Sequence, residues 1–190
     1  MKAYCINLKD RKDRLEKFYA QDFPFKVTRF DALRGNFPAH GNILSHLGVM
    51  SKCKDEILIF EDDCVMTDKW DLFYNAYAQL PENWDCLFLG ANLHSKLDQF
   101  SDNLFRLKDG WSTHAVLYKK KLVDHILTFD ANKILEDKHI DTFLQRRIQP
   151  FFNCFIVHPI LSIQEPGFSD IINGPRSYEE MIPNFYKFTK

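Results

Sequence analysis

The stretch Ile57-Leu58-Ile59-Phe60-Glu61-Asp62-Asp63-Cys64-Val65 decides how this chain is read, because an apolar run ends abruptly in three adjacent carboxylates. Four uninterrupted apolar residues with β-branched members fit a strand buried on both faces, as in parallel sheets. Open α/β sheets gather their ligands outside the carboxyl ends of the strands, which is where Glu61, Asp62 and Asp63 fall. Neighbouring acids repel one another unless a cation lies among them. Hard oxygen donors suit Mg2+ or Mn2+, which take one or two protein carboxylates and leave positions open for phosphate oxygens. The same residues would also serve as an acidic turn capping a following helix, with Asp68 opening it.

Outward from this segment, strand-like and helix-like runs alternate, which predicts an α/β sheet. Upstream, Ala3 to Leu8 reads as a strand, and Asp10 as the N-cap of a helix carrying Leu15, Phe18 and Tyr19 on one face. Lys26 to Phe30 reads as a second strand. After a turn at Pro38 to Gly41, the spacing of Ile43, Leu47 and Met50 predicts a helix ending near Lys54. Downstream, Trp70, Phe73, Tyr74 and Tyr77 mark a helix that stops before Pro81, and Cys86 to Leu89 a strand stopped by Gly90. Residues 91–110 are polar and aperiodic, the pattern of a loop over the site. Thr113 to Tyr118 reads as a strand, residues 119–121 open a helix through Leu127, Ile140 to Ile148 forms another, and Asn153 to Val157 is a late strand. The aromatic tail at Phe185, Tyr186 and Phe188 is expected to wrap back onto the body.

Composition narrows the class. The 190 residues suit one domain spanning 1–190 with a substantial core, supported by eighteen Phe, seven Tyr and three Trp. Lys and Arg number 25 against 26 Asp and Glu, which removes the bulk electrostatic case for nucleic-acid or membrane binding. Five cysteines, an odd number without C-x-x-C spacing, fit reduced core thiols of a cytoplasmic protein. Met1-Lys2-Ala3-Tyr4 runs straight into a strand, so no signal peptide is expected, and no apolar run approaches the roughly 18 residues of a membrane span. Seven glycines supply neither G-x-G-x-x-G nor a P-loop, so phosphate would have to be handled by a metal and side chains.

Seven separated segments stand in one order over residues 3–172. Ile6-Asn7-Leu8 leads into the charged turn Lys9 to Arg14; Gly41 precedes Leu44-Ser45-His46-Leu47; Phe60-Glu61-Asp62-Asp63 follows. Then come Trp84-Asp85 with Leu87, Leu89 and Gly90; Thr113-His114-Ala115 with Tyr118; Ile140-Asp141 with Leu144; and Pro159 to Gln164 with Ser169-Asp170-Ile171. The ordered set resembles glycosyltransferase family 25, which includes bacterial lipooligosaccharide galactosyltransferases and collagen galactosyltransferases. The chain departs from the family before Leu44, where Gly41-Asn42-Ile43 stands for the usual Gly-Glu-Ile-Gly-Cys, and its acceptor-facing loops are short. These departures bear on the sugar and the acceptor, not on the class of chemistry.

The resemblance implies a GT-A-like fold, a three-layer α/β/α sandwich with a central mixed, mostly parallel sheet. It implies a metal-dependent, inverting transfer of a hexose, galactose or glucose, from a UDP-sugar to a glycan, lipooligosaccharide or glycoprotein acceptor. Glu61-Asp62-Asp63 would be the D-x-D element: Asp63, with Glu61, holding Mn2+ or Mg2+, and Asp62 binding ribose or supporting the cage. His158 would add a late ligand, or else sit hydrogen-bonded at a strand end. Asn7, Leu8, Arg11 and Arg14 would hold the nucleotide. Arg11 and Arg14, three apart, share a face at a helix N-terminus that favours anions, or form a basic turn with Asp10 and Asp13. Ser45 and His46 would contact the donor, unless His46 only satisfies core polarity. An inverting transfer needs a general base, for which Asp141 at a helix start is the choice, with Glu136 and Asp137 as substitutes; N-capping explains an Asp there equally. Trp111 reads as a core residue or as a platform for a sugar ring. Two other functions use the same residues: a metal-dependent phosphoesterase or nuclease, and a sugar-binding module of the same fold without a working base.

Overall fold

The computed structural model describes residues 1–169, 174–177 and 180–189. Asp170 and Ile171 of the expected closing segment lie outside the described residues. The chain opens with β1 (Lys2–Asn7), α1 (Lys12–Tyr19), β2 (Val27–Asp31) and α2 (Pro38–Met50). The acid-ended strand is β3 (Glu56–Glu61), followed by β4 (Cys64–Met66), a 3-10 turn at Trp70–Leu72, α3 (Phe73–Ala78) and β5 (Cys86–Phe88). Four short strands come next: β6 (Asn92–Leu93), β7 (Asp98–Ser101), β8 (Leu104–Arg106) and β9 (Gly110–Trp111). Then follow β10 (Ala115–Lys119), α4 (Lys120–Ile126), α5 (Ala131–Leu135), α6 (Ile140–Phe143) with a π-helical turn at Leu144–Ile148, β11 (Cys154–Val157), β12 (Ser162–Gln164), β13 (Gly167–Ser169), β14 (Gly174–Arg176) and α7 (Met181–Phe188).

Eight strands form the main sheet in the order β2-β1-β3-β10-β5-β11-β8-β7. Three neighbouring pairs are parallel: β1 with β2, β1 with β3, and β5 with β11. Only β10 and β8 run against the common direction, so the sheet is mixed with its strands mostly pointing one way. Side chains alternate across it: Ile57 and Ile59 enter the core on one face, Leu58 and Phe60 the core on the other. Burial on both sides is why this strand is written without polar residues. The first face is covered by α2, α4, α5, α6 and α7 through Ile43, Leu122, Ile134, Phe143 and Phe185. The second is covered by α1 and α3 through Phe18 and Phe73, with Trp70 and Trp84. The result is a three-layer α/β/α sandwich. On the second face Phe18 stacks on Phe23 at 4.7 Å and meets Phe60 edge-on at 5.6 Å, contacts worth about 0.5–1.5 kcal/mol each beyond area burial.

Several local expectations change. Pro38 to Gly41 is no turn but the first turn of α2, with Pro38 at N1, where its missing N–H costs nothing. That helix ends at Met50, ahead of the expected Lys54. Asp10 does not cap α1: Arg11 is the N-cap residue, and Asp10 accepts from Arg34 at 2.8 Å. Asp68 does not cap the 3-10 turn either, since Lys69 occupies that place without a side-chain cap. Residues 91–110 are not a loop over the site. β8 pairs with β11, β7 closes that edge, and the exposed edge strand carries no apolar alternation to betray it. All five cysteines are buried free thiols, and no helix among the described residues is long and apolar enough to cross a membrane.

Candidate active site

The acid trio sits where β3 leaves the sheet. The Glu61 N–H donates to the His114 carbonyl at 2.9 Å, and the Glu165 N–H donates to the Asp63 carbonyl at 2.7 Å. β4 and β12 pair antiparallel, Cys64 opposite Gln164, and close the turn from the other side. Gly90 makes the tight packing possible, because a Cβ there would meet the Ser162 carbonyl oxygen at 1.9 Å. His114 lies in the same seam with Nε2 3.1 Å from Ser162 Oγ, and burial pulls its imidazole down to about 4, so it is neutral there.

The three carboxylates have three different surroundings. Glu61 Oε1 is 2.9 Å from His46 Nε2, accepts from Thr113 Oγ1 at 2.8 Å, and lies 3.4 Å from Asn42 Nδ2. Burial alone would raise the Glu61 carboxyl, but the hydrogen bond and charge of His46, with Thr113, bring it down to about 2. Asp62 is tied at both oxygens: Oδ2 accepts from Asn7 Nδ2 at 2.7 Å and Oδ1 from Arg14 at 3.0 Å. Burial still pushes Asp62 upward against those partners. Asp63 has only Gln164 Nε2 at 3.5 Å from Oδ2, and its buried Oδ1 has no partner among the described residues. Burial, then the charges of Glu61 and Asp62, push its carboxyl up to about 8. An under-satisfied buried carboxylate beside two others is a poor structural element and a good cation ligand.

A cleft of about 560 Å³ opens over these acids at the carboxyl ends of β1, β2 and β3. One wall is the end of β1 and the start of α1, with Leu8, Arg11 and Arg14; another is the loop from Ala32 to Phe37. The floor between them is the first turn of α2, with Gly41 and Asn42. Phe37, the N-cap of that 13-residue helix, makes no side-chain cap, and its first turn holds no acid, so the positive end of the helix faces the cleft. Loop and helix approach closely through two glycines: a Cβ on Gly35 would meet the Gly41 nitrogen at 2.6 Å, and one on Gly41 the Leu33 carbonyl oxygen at 2.7 Å. Ser45 locks the loop, accepting from the Leu33 N–H at 2.8 Å while donating to the Gly41 carbonyl at 2.6 Å.

Leu8, Arg11, Arg14, Ser45, Glu61, Asp62 and Asp63 all line this cleft. Asn7 and His46 lie just behind it, buried, and act on Asp62 and Glu61. Arg11 forks onto Asp13, with Nε and Nη2 each 3.1 Å from a carboxylate oxygen. His158 is not brought to the acids: its ring stacks on Phe185 at 5.8 Å and tilts against Phe105 at 5.3 Å. Asp141 is not among the cleft residues, and its Oδ1 accepts from the Thr142 N–H at 2.7 Å. The substitutes are engaged elsewhere, Glu136 with Lys133 and Asp137 with Arg146 and Arg147. Three contributors went unassigned on the sequence: Thr113, Gln164 and Asn42. Thr113 stood in the matched Thr113-His114-Ala115 segment and Gln164 at the end of the matched Pro159 to Gln164 segment, the one signal that could have found them; nothing marks Asn42.

The donor set bears on a metal. With Glu61 engaged through Oε1 and Asp62 through both oxygens, Asp63 and the second Glu61 oxygen are left for an ion, and among the described residues no group of three His, Cys, Asp or Glu could hold one. That fits Mg2+ or Mn2+, held by one or two carboxylates together with phosphate oxygens, and does not fit an all-protein cage.

No protein-family model matches the chain, and no curated protein matches it. Among solved structures it is similar to mannose-1-phosphate geranyltransferase from Thermus thermophilus, at 10% identity and TM-score 0.43 over 81% of this chain and 58% of that one. It is similar to HddC from Yersinia pseudotuberculosis, at 11% identity and TM-score 0.45 over 96% and 77%. It is also similar to the inositol-1-phosphate CTP transferase from T. maritima, at 12% identity and TM-score 0.42 over 97% and 77%. The chain thus spans less than two thirds of the length of the first of these. At such identity and superposition, nothing about substrate or reaction passes from those proteins to this one.

Proposed function

We propose that this protein is a metal-dependent glycosyltransferase that moves a hexose, galactose or glucose, from a UDP-sugar to a hydroxyl of a glycan, lipooligosaccharide or glycoprotein. One observation carries the reading: Asp63, the trio's under-satisfied carboxylate, lines a cleft that also receives the uncapped N-terminus of α2. A carboxylate wanting a cation and a helix end wanting an anion, side by side, suit a diphosphate with its divalent ion. Leu8, Arg11 and the Ala32–Phe37 loop offer the room and polarity for the nucleoside. Asn7 and Arg14 keep Asp62 fixed, while His46 and Thr113 keep Glu61 ionised and in place. Mn2+ or Mg2+ held at Asp63, with Glu61 adjacent, would supply Lewis-acid neutralisation of the leaving diphosphate.

A sugar-nucleotide-binding module without turnover is the second reading, and a specific observation favours it: Asp141, the expected base, bonds its own neighbour Thr142 and does not line the cleft. A phosphoesterase is disfavoured, since hydrolysis by metals calls for a denser ligand cluster than Asp63 supplies. The deciding experiment titrates UDP and UDP-galactose by calorimetry with Mn2+ and with chelator. The reading expects binding in Mn2+, lost on chelation and in Asp63→Ala; equal binding with and without chelator defeats it. Release of UDP on adding a galactoside acceptor separates the enzyme from the module.

A further inference from the structure

We propose that Trp111, with His94 at its edge, is a platform for a pyranose ring of the acceptor glycan; this rests on the transferase reading above. Of the two readings of Trp111, core residue or sugar platform, its 43% exposure goes against the first. An indole left in water on a short paired strand is unusual, because its ring is the largest apolar surface a residue can bury. His94 stands against it with ring centroids 4.6 Å apart in an edge geometry, so the two make one aromatic corner. The apolar C–H face of a pyranose stacks on such a ring, while its hydroxyls seek polar neighbours. Asn92, partly exposed and paired with Trp111 across the two strands, provides an amide there, its Nδ2 donating to the buried Ser112 hydroxyl at 3.0 Å.

The platform is held rigidly. Gln149 is buried and pairs with both backbone groups of Gly110: its Oε1 accepts from the N–H at 2.9 Å and its Nε2 donates to the carbonyl at 2.7 Å. β6 and β9 pair Asn92 with Trp111 and Leu93 with Gly110. Ser112 follows with φ of 90°, a left-handed value a non-glycine residue adopts only when its surroundings enforce it.

Ser112 and Thr113, the next two residues of the chain, lead to the acids. Ser112 Oγ donates to Gln164 Oε1 at 2.8 Å, and the other end of that amide reaches Asp63 Oδ2 at 3.5 Å. Thr113 donates to Glu61 at 2.8 Å. Two residues of chain span at most about 7 Å, so Trp111 begins within one sugar ring of the residue that touches Glu61. β10 begins with Ala115 opposite Phe60, so a ring on the indole would lie at the acid-bearing end of the sheet.

The test uses saturation-transfer NMR on the full chain with methyl β-galactopyranoside and methyl β-glucopyranoside as probes, beside a UDP titration in Mn2+. The native protein is expected to transfer magnetisation to at least one glycoside. Trp111→Ala is expected to weaken that glycoside roughly tenfold, Trp111→Phe to keep part of it, and UDP affinity to stay put in both. Equal glycoside contact in native protein and Trp111→Ala, or none in the native protein, overturns the platform while UDP binding leaves the transferase reading standing. Glycoside contact that depends on Trp111 in a protein that binds no UDP supports the platform and removes the transferase reading. Thermal melts of both variants exclude misfolding as the cause.

Discussion

Asn7 Nδ2 donates to Asp62 Oδ2 at 2.7 Å, so the end of the first strand holds the acid turn of the third. The same amide donates to the Arg11 carbonyl at 2.9 Å and its oxygen accepts from Arg29 at 2.9 Å, leaving a 1% exposed side chain fully used. Asn7→Ala leaves Asp62 partly unpaired in a buried site, and is expected to lower stability by about 1–3 kcal/mol in urea denaturation. Asn7→Ala and Arg14→Ala share Asp62 as partner, so the double variant should depart from additivity. Additive costs would show that the two contacts are not one network.

Asp63 is expected to trade stability for ion binding. Its carboxyl is raised from 3.8 to about 8, so its neutral form is favoured by the metal-free fold; that stability is full below pH 4 and is lost as pH rises through 8. Asp63→Asn removes the titration. Above pH 8 and without metal, the variant should be more stable than the parent by about 2 kcal/mol, with the gap closing toward pH 4. It should also lose any Mn2+-dependent rise in melting temperature. A parent whose metal-free stability is flat between pH 4 and 8 would contradict this.

Glu61 titrates in the opposite sense. Its carboxyl is lowered from 4.5 to about 2, mainly by His46 against the cost of burial, so its contribution is present above pH 4.5 and disappears as pH falls toward 2. His46→Leu should therefore cost about 2–3 kcal/mol at neutral pH and progressively less in acid, read from chemical denaturation across that window.

The crossing of Gly35 over Gly41 predicts a steric result. Either residue changed to Ala places a Cβ within 2.6–2.7 Å of backbone atoms, so the loop from Ala32 to Phe37 must move off α2. Both variants should weaken UDP binding and cost about 1–3 kcal/mol. Gly167→Ala, with nothing within 4 Å of its added carbon, is the control and should be neutral in both measurements.

Much of this was legible in the chain. Ile57 to Phe60 announced a doubly buried strand because burial on both faces forbids polar residues, and Glu61 to Asp63 marked the end that lines the cleft. Asn7 and Arg14 were placed at the cleft, although their task is to hold Asp62; a hydrogen bond between residues 55 apart leaves no trace in local pattern. Strands β7 and β8 were missed because β7 is a short exposed edge without alternation and β8 is only three residues long, and Asp141 and His158 were drawn to the site by analogy of position alone. Trp111 was left between core and surface, because composition favours a buried tryptophan and only tertiary structure shows Gln149 holding its strand where the indole is exposed.

Strand β10 runs backward between β3 and β5, so it brings Thr113, which lies two residues ahead of its first position, to the working edge and delivers Lys119 to the far side. Lengthening the chain by even a single residue between Trp111 and Ala115 would therefore pull on the acid-bearing edge, whereas the junction at Lys119 lies on the rear of the sandwich, remote from it.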